Sequence, residues 1–193
     1  MGSEMCIRDR YDAMKDVQVL TPMNRGDLGT KNLNDELQAL LNPPKEGSEE
    51  ELKTGHTTFR PHDKVIQISN NYDLNVFNGD IGFVEHAGVE GGKIVVKFSG
   101  RSVTYSKEDS YDLRLAYAIT IHKSQGSEFP VVVIPMSMQH FIMLQRNLIY
   151  TALTRAKKFA VFVGSTQALD HATNTHTSLK RQTQLVQRIQ YYL

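Results

Sequence analysis

The chain has 193 residues, 40% of them hydrophobic, and a net charge of +1 at pH 7. That length fits one domain or one domain with a small insertion, and the small net charge excludes an overall basic field, so nucleic-acid binding would need a local patch. The single cysteine excludes an internal disulfide and a cysteine metal cluster, and no apolar run approaches the ~18 residues of a membrane span. Together with the lack of a signal-peptide core, these features predict a cytoplasmic protein with no membrane partner.

The first predicted elements are a strand and a helix behind a short leader. Residues 1–16 are interpreted as a leader outside the fold, because their first ten show no periodicity. A buried strand is predicted at Val17–Thr21, followed by a polar turn with glycines at 23–29. A helix is then predicted from leucines at helical spacing, and Asn42-Pro43-Pro44 stops it. Those leucines are Leu33, Leu37, Leu40 and Leu41.

The middle of the chain has the texture of a small β module. Residues 43–62 are rich in Pro, Glu and Thr, which predicts an exposed connection, and Asp63–Ser69 predicts a strand. Three short β-like runs separated by glycine turns then indicate an antiparallel barrel or meander. They are Gly79–His86, Lys93–Phe98 and Ser102–Tyr105. Because roughly thirty residues cannot bury a sufficient core alone, residues 79–111 are predicted to be an insertion that depends on its host.

Alternating helices and strands resume after the insertion. The predicted elements are a helix at Ala116–Gln125, a strand at Val131–Ile134, a helix at Met138–Leu153, a strand at Phe159–Val163 and a helix at Ser178–Ile189. This alternation predicts an α/β fold with a mostly parallel sheet flanked by helices. The host domain is therefore predicted to comprise residues 17–78 and 112–193.

Two arginines occupy turns next to predicted strands. The phosphate-loop pattern G-x-x-x-x-G-K-[ST] is absent from the sequence, and no acidic pair beside an apolar strand suggests a Mg²⁺ site. The chain alone therefore lacks the parts that hold Mg·ATP. Arg155 lies between a helix and a strand, where its guanidinium could neutralise a γ-phosphate held by a neighbouring domain. Arg25 lies in a comparable turn after the first strand. The alternative hypothesis for Arg25 and Arg155 is that each is a solvated surface residue without a ligand.

A polar run precedes the strand at Val131–Ile134. Its hydroxyl, imidazole, ammonium and amide groups are suited to a nucleic-acid backbone, and an exposed helix face is the alternative. The run contains Thr120, His122, Lys123, Ser124 and Gln125. Glu128 could accept hydrogen bonds from ribose hydroxyls or be a surface carboxylate. The histidines His171 and His176 are five residues apart without a nearby cysteine, so no metal site is predicted.

Three segments together resemble superfamily 1 DNA helicases. Thr120–Phe129 (TIHKSQGSEF) resembles motif V, Tyr150–Lys157 (YTALTRAK) resembles motif VI, and Thr21–Gly26 (TPMNRG) resembles motif IV, in the order that the family has. Asn70–Asp73 and Val76–Asp80 resemble the segment that leads into the SH3-like insertion of the RecD-like branch. The sequence HKSQGSEF at His122–Phe129 also resembles that branch more than UvrD-like members.

The resemblance implies a RecA-like domain of the P-loop-NTPase type, the second of two domains that sandwich ATP. By resemblance, Arg155 is an arginine finger, Arg25 is a motif IV phosphate contact, and Gly126 and Glu128 lie near the nucleotide. Single-stranded DNA is the implied partner of Thr120, His122, Lys123 and Ser124. Gln125, Tyr150 and Thr154 are implied to support these residues.

The resemblance covers only the second half of such a motor. Motifs I to III are missing, so the Mg²⁺ ligands and the ATP phosphate loop are expected on an absent N-terminal domain, and this chain is expected to be inactive alone. A stand-alone 5′→3′ helicase, a complex with RecB- and RecC-like subunits, and a relaxase-linked helicase all remain open. The runner-up hypothesis is a non-catalytic DNA- or protein-binding module on a degenerate RecA-like scaffold.

Overall fold

The computed structural model describes residues 10–45, 50–89, 91–175 and 189–191. Its elements are β1 Val17–Thr21, α1 Thr30–Leu41, β2 Leu52–Thr54, β3 Thr57–Phe59, β4 Lys64–Gln67, β5 Ile81–Val89, β6 Lys93–Phe98, β7 Arg101–Tyr105, β8 Leu113–Leu115, β9 Ala118–Thr120, β10 Phe129–Met136, α2 Arg146–Leu153, β11 Ala156–Gly164 and α3 Thr166–Asn174. Short 3-10 turns occupy Asp109–Asp112 and Met138–His140. Most of the predicted leader and residues 178–188 of the predicted C-terminal helix lie outside the described residues.

The first of two main sheets is four-stranded and entirely parallel. Its order is β11-β10-β1-β9, which confirms the predicted α/β class. The two central strands bury apolar side chains such as Leu20, Val132 and Ile134 completely, as expected of strands covered on both faces. The helices α2 and α3 pack against β10 and against each other. This sheet and its helices share one hydrophobic core.

The second sheet is antiparallel, with the order β7-β6-β5-β4-β8. The three predicted β runs form β5, β6 and β7, while β4 and β8 come from either side of residues 79–111. A separate core fills this module, and the hairpin β2–β3 adds the buried side chains of Leu52 and Phe59 to it. The interpretation of residues 43–62 as a mere connection was therefore wrong, because two short strands of that segment pack on the module. The domain boundaries at 79 and 111 stay a prediction.

Two predicted helices were wrong in whole or in part. In place of a helix at Ala116–Gln125, residues Ala118–Thr120 form β9, which pairs with β1 and is buried, and hydrogen-bonded turns follow. The helix predicted at Met138–Leu153 begins only at Arg146, because the chain first makes a 3-10 turn at the end of β10. Pairing with β1 outweighs the local helical pattern, which is a weak preference.

The exposure of two further elements differs from the prediction. Along α1 the buried residues are Asn34 and Gln38, whereas Leu40 is 76% exposed. The Asn34 side chain accepts from the Ala118 N–H at 2.9 Å and donates to the Ala118 carbonyl at 2.8 Å. It thereby pairs with the outer edge of β9 as a neighbouring strand would. At the other edge, β11 is partly exposed rather than buried, with Phe159 44% accessible.

Candidate functional site

The predicted site residues fall at two ends of the parallel sheet. All four strands run in one direction, so the sheet has an amino end, where they begin, and a carboxyl end, where they finish. Arg155 and Glu128 directly precede β11 and β10 at the amino end, whereas Arg25 and Lys123 follow β1 and β9 at the carboxyl end. The register of β1 on β10 puts the last residue of β1 six residues beyond the first residue of β10, which at ~3.3 Å per residue is about 20 Å.

At the amino end, Arg155 is fixed by hydrogen bonds to its own chain. Its guanidinium donates to the carbonyls of Thr151 (3.3 Å) and Ser127 (3.2 Å) and to the hydroxyl of Thr154 (3.1 Å). The Arg155 carbonyl accepts from the Phe129 N–H at 2.8 Å. The three oxygens that accept from the Arg155 guanidinium are all neutral, so they orient it without neutralising its charge.

The residues around Arg155 are partly those that the sequence predicted. Thr154 contacts the guanidinium directly, whereas the Tyr150 side chain is 68% exposed on α2. Gly126 has φ +89°, a left-handed conformation that favours glycine, and it precedes the Ser127 carbonyl that Arg155 binds. Glu128 pairs with Lys157 at 3.5 Å, and both side chains are more than half exposed. The structure therefore brings Arg155, Gly126 and Glu128 to one end of the sheet.

The polar run after β9 divides into buried and exposed side chains. The Thr120 hydroxyl accepts from the Lys123 N–H at 3.2 Å, and the fully buried Ser124 hydroxyl donates to the Ile121 carbonyl at 2.7 Å. Both hydroxyls thus stabilise the turn. His122, Lys123 and Gln125 are exposed. In this conformation Ser124 cannot contact a ligand, because its hydroxyl is occupied and buried; its predicted DNA contact therefore has no support in the geometry.

The turn that carries Arg25 is built at the carboxyl end. Gly29 approaches Arg25 so closely that an added Cβ would lie 2.5 Å from the Arg25 carbonyl oxygen. In the same turn, Asp27 accepts a hydrogen bond from Gln139, just beyond β10, at 3.4 Å. The structure therefore places Arg25 and Arg155 at opposite ends of the sheet, and the phosphate contact that the motif IV resemblance implies for Arg25 stays a prediction. An arginine side chain is too short to cover the length of the sheet.

A cleft of about 600 Å³ lies where the carboxyl end of the parallel sheet faces the antiparallel sheet. We call it the sheet–sheet cleft. Its ionisable lining is mostly basic, with Asp35 as the acidic member, and the basic members are Arg25, Lys31, His56, Arg114 and Lys123. Thr120 and Tyr111 also line it. Sequence reasoning missed Lys31, His56 and Arg114, because no local motif joins residues so far apart along the chain.

A buried polar network around Asp63 joins the two sheets. Asp63 is completely buried and accepts four hydrogen bonds, from the side chains of Gln38 (2.6 Å), Asn42 (2.7 Å) and Tyr117 (2.7 Å) and from the Arg60 N–H (2.7 Å). Burial raises the pKa of the Asp63 carboxyl, and the four hydrogen bonds oppose that shift. The network connects α1, the start of β4 and the short link between β8 and β9.

A lysine next to Asp63 is buried as well. Lys64 is 3% exposed, donates to the Val17 carbonyl at 3.1 Å and lies 5.7 Å from the centre of the Phe129 ring. Burial lowers the pKa of its ammonium group to about 8, while Asp16 and Asp12 oppose the shift. Lys64 therefore ties β4 of the antiparallel sheet to the beginning of the parallel sheet.

Two regions of the chain match known helicase domains. Residues 33–98 match the family described as the SH3 domain of ATP-dependent RecD-like DNA helicases. Residues 115–163 match the C-terminal domain of UvrD-like helicases. No helix among the described residues is long and apolar enough to cross a membrane.

Curated relatives give the same assignment. The chain is 41% identical over 173 residues to the ATP-dependent RecD2 DNA helicase of Deinococcus radiodurans, which is 90% of this chain and 23% of that protein. It is 34% identical over 140 residues to the RecBCD enzyme subunit RecD of Mycobacterium tuberculosis, covering 72% of this chain and 23% of the relative. The chain thus spans about a quarter of the length of these relatives.

The fold is similar to a solved helicase structure. The Pif1 helicase from Bacteroides in complex with ADP-AlF3 and single-stranded DNA matches with a TM-score of 0.56 and 16% identity, covering 90% of this chain and 44% of that one. At this identity the likeness concerns the fold alone. It agrees with a parallel sheet and helices joined to an antiparallel sheet.

Proposed function

We propose that this chain, which belongs to the RecD-like helicases, is the second motor domain of an ATP-dependent 5′→3′ DNA helicase in recombination and repair. In this proposal an N-terminal RecA-like domain outside the chain holds ATP and Mg²⁺. This chain supplies an arginine to the nucleotide and a surface for single-stranded DNA. The described residues contain no group of three metal-ligating side chains, and the proposal places the Mg²⁺ ligands on the other domain.

The observation that carries the proposal is the setting of Arg155. Its guanidinium is partly buried, oriented by three neutral acceptors, and located where α2 meets the edge strand β11. A preoriented cation at a domain surface can stabilise the charge that develops on a transferred γ-phosphoryl group, as arginine fingers do. Gly126 and Glu128 lie at the same end and fit a role beside the nucleotide.

The DNA surface is proposed at the opposite end of the sheet. His122 and Lys123 are exposed after β9, and Thr120 lines the same cleft. Arg25 lines this cleft too, so we assign it to DNA rather than to the γ-phosphate. Phosphate contacts of this kind give binding that depends strongly on salt and little on sequence.

Steady-state ATP hydrolysis by the full-length gene product tests the proposal. We expect hydrolysis stimulated by single-stranded DNA from the full-length protein and none from residues 1–193 alone. Arg155→Ala in the full-length protein should lower kcat by ~10³-fold or more, as is typical of arginine fingers. Lys158→Ala is the matched control, because Lys158 is an exposed cation three residues further along, and its kcat should stay unchanged.

Near-normal turnover of Arg155→Ala would contradict the assignment. Hydrolysis that is absent from the full-length protein would favour the alternative, a non-catalytic DNA- or protein-binding module, which the missing phosphate loop also suggests. Strand-displacement assays with 5′ and 3′ tailed duplexes would test the proposed 5′→3′ direction. Size-exclusion chromatography with RecB- and RecC-like subunits would separate a complex from a stand-alone helicase.

A further inference from the structure

We propose that Arg114 and Lys123 bind one and the same phosphate of single-stranded DNA from opposite sides of the sheet–sheet cleft. The antiparallel sheet would then form one wall of the DNA-binding cleft. The inference rests on the proposed function, and it adds Arg114 to the residues that the helicase motifs indicate.

The two cations come from different sheets. Arg114 is the middle residue of β8, in the antiparallel sheet, whereas Lys123 follows β9, in the parallel sheet. Both line the sheet–sheet cleft. Burial and, after it, the positive charge of Arg114 lower the pKa of the Lys123 ammonium group. The two charges are therefore close enough to repel each other.

Nothing of the opposite charge in the described structure compensates this pair. Asp35 is the acidic residue of the cleft lining, against five basic residues, and the described ion pairs involve other residues. Like charges brought together across a cleft are destabilising unless an anion lies between them. The arrangement therefore indicates an anionic ligand.

The Arg114 side chain is held in place with part of its donor capacity unused. Its Nη1 donates to the carbonyls of Tyr111 and Leu113, both at 2.7 Å. Within the described residues, its Nε and Nη2 groups donate no hydrogen bond. The main chain of Lys123 is fixed as well, since its backbone N–H donates to the Thr120 hydroxyl, and its side chain is exposed. A fixed guanidinium with unused donors beside a lysine ammonium group is suited to bind a phosphate.

The rest of the cleft fits a DNA strand better than an isolated phosphate. Two further cations, Arg25 and Lys31, and the imidazole of His56 extend the basic surface beyond the pair. Tyr111, adjacent to Arg114, lines the cleft and is 53% exposed, which leaves its ring available to stack on a base. A basic groove with an exposed aromatic ring is the usual arrangement for single-stranded nucleic acid.

Fluorescence anisotropy with labelled oligo(dT) over a series of salt concentrations tests the inference on the 193-residue chain. The variants are Arg114→Ala, Lys123→Ala and the double variant. The matched control is Arg101→Ala, because Arg101 lies in β7 at the opposite edge of the same sheet. Its guanidinium likewise donates to two main-chain carbonyls, those of Leu74 and Asn75, and it does not line the cleft.

We expect Arg114→Ala to weaken oligo(dT) binding by ~10-fold at low salt, the loss typical of a hydrogen bond to a charged group. The slope of log affinity against log salt should fall by ~0.7, the value for one phosphate contact on a single strand. Because both residues bind one phosphate, the double variant should lose less affinity than the product of the two single losses. Arg101→Ala should match the wild type.

A second readout does not depend on DNA. In Arg114→Ala the pKa of Lys123 should rise towards its ordinary value, which NMR of the lysine side chain would detect. If Arg114→Ala matches Arg101→Ala in affinity and salt slope, the shared phosphate is refuted while the proposed function stands. If the wild-type chain binds no oligo(dT), the shared phosphate is refuted as well, and ATP hydrolysis by the full-length protein then decides the proposed function separately.

Discussion

The two ends of the parallel sheet carry positive charge in different ways. At the amino end a single guanidinium, that of Arg155, is fixed by three hydrogen bonds to neutral oxygens. At the carboxyl end five basic side chains line an open cleft together with one carboxylate. A single oriented cation suits a ligand whose phosphate occupies one position, whereas a distributed basic surface suits a polyanion that can move along it.

One short segment connects these two ends. The chain leaves β9 at Thr120, at the carboxyl end, and enters β10 at Phe129, at the amino end. Between them, the Lys123 N–H bonds back to Thr120, and the Ser127 carbonyl binds the Arg155 guanidinium. A change in the position of Arg155 would therefore be felt by a segment that reaches the cleft. In the proposed function, this contiguous segment connects the nucleotide at Arg155 with the DNA at the cleft.

The largest expected effect separates the two ends by kinetics. In the full-length protein, Arg155→Ala should lower kcat by ~10³-fold or more and leave the single-stranded DNA concentration for half-maximal stimulation unchanged. Arg25→Ala should do the reverse, because Arg25 lies in the sheet–sheet cleft, about 20 Å along the strands from Arg155 at ~3.3 Å per residue. ATPase titrations with oligo(dT) measure both quantities.

Separate roles for Arg25 and Arg155 are refuted if Arg25→Ala lowers kcat at saturating DNA as much as Arg155→Ala does. That result would return Arg25 to the γ-phosphate and imply that the carboxyl end also faces the nucleotide. Arg101→Ala serves again as the control, because Arg101 lies in the antiparallel sheet and at neither end of the parallel sheet.

The next effect concerns the buried polar network around Asp63. Asp63→Ala should lower the free energy of unfolding by ~3 kcal/mol, because it leaves two buried and two partly buried donors without this acceptor. Thermal and urea unfolding of the 193-residue chain measure the loss. Asp73→Ala is the matched control, since Asp73 is an exposed aspartate in the loop after β4, and it should change stability by less than about 0.5 kcal/mol.

The pH dependence of that loss follows from the direction of the pKa shift. Burial raises the pKa of Asp63 in the folded chain. The folded state therefore binds the Asp63 proton more tightly than the unfolded state does. The stability that this protonation contributes is complete below the unfolded pKa and is lost as pH rises through the folded pKa. As the pH rises from the unfolded to the folded pKa of Asp63, the difference in unfolding free energy between wild type and Asp63→Ala should shrink. A difference that grows would contradict the raised pKa.

The sequence predicted three of the four strands of the parallel sheet and missed the edge strand β9. Val17–Thr21 matches β1 residue for residue, and Val131–Ile134 lies inside β10, because short, mostly apolar runs rich in β-branched residues favour a strand. β9 has only three residues, and its strand partner lies about a hundred positions earlier, so the local pattern favoured a helix. The buried amides of Asn34 and Gln38 were missed for the same reason, because their partners are distant in sequence.

The candidate site shows the same division. Arg155 and the segment after β9 belong to local motifs, so their positions next to strands could be predicted. The basic lining of the cleft could not, because Lys31, His56 and Arg114 come from a helix, a hairpin and a short strand that only the fold brings together.

The smallest expected effect lies at the amino end. Glu128→Gln removes the ion pair with Lys157, which spans 3.5 Å between side chains that are more than half exposed. Water screens such a pair, so the free energy of unfolding should change by less than about 1 kcal/mol. If Glu128 accepts from the ribose of ATP, the same substitution in the full-length protein should raise KM for ATP several-fold, with Lys157→Met as the control that breaks the ion pair but keeps the carboxylate. An equal rise in KM for both variants would show that the ion pair, rather than a ribose contact, sets nucleotide affinity, and the amino end would then act on ATP through Arg155 alone.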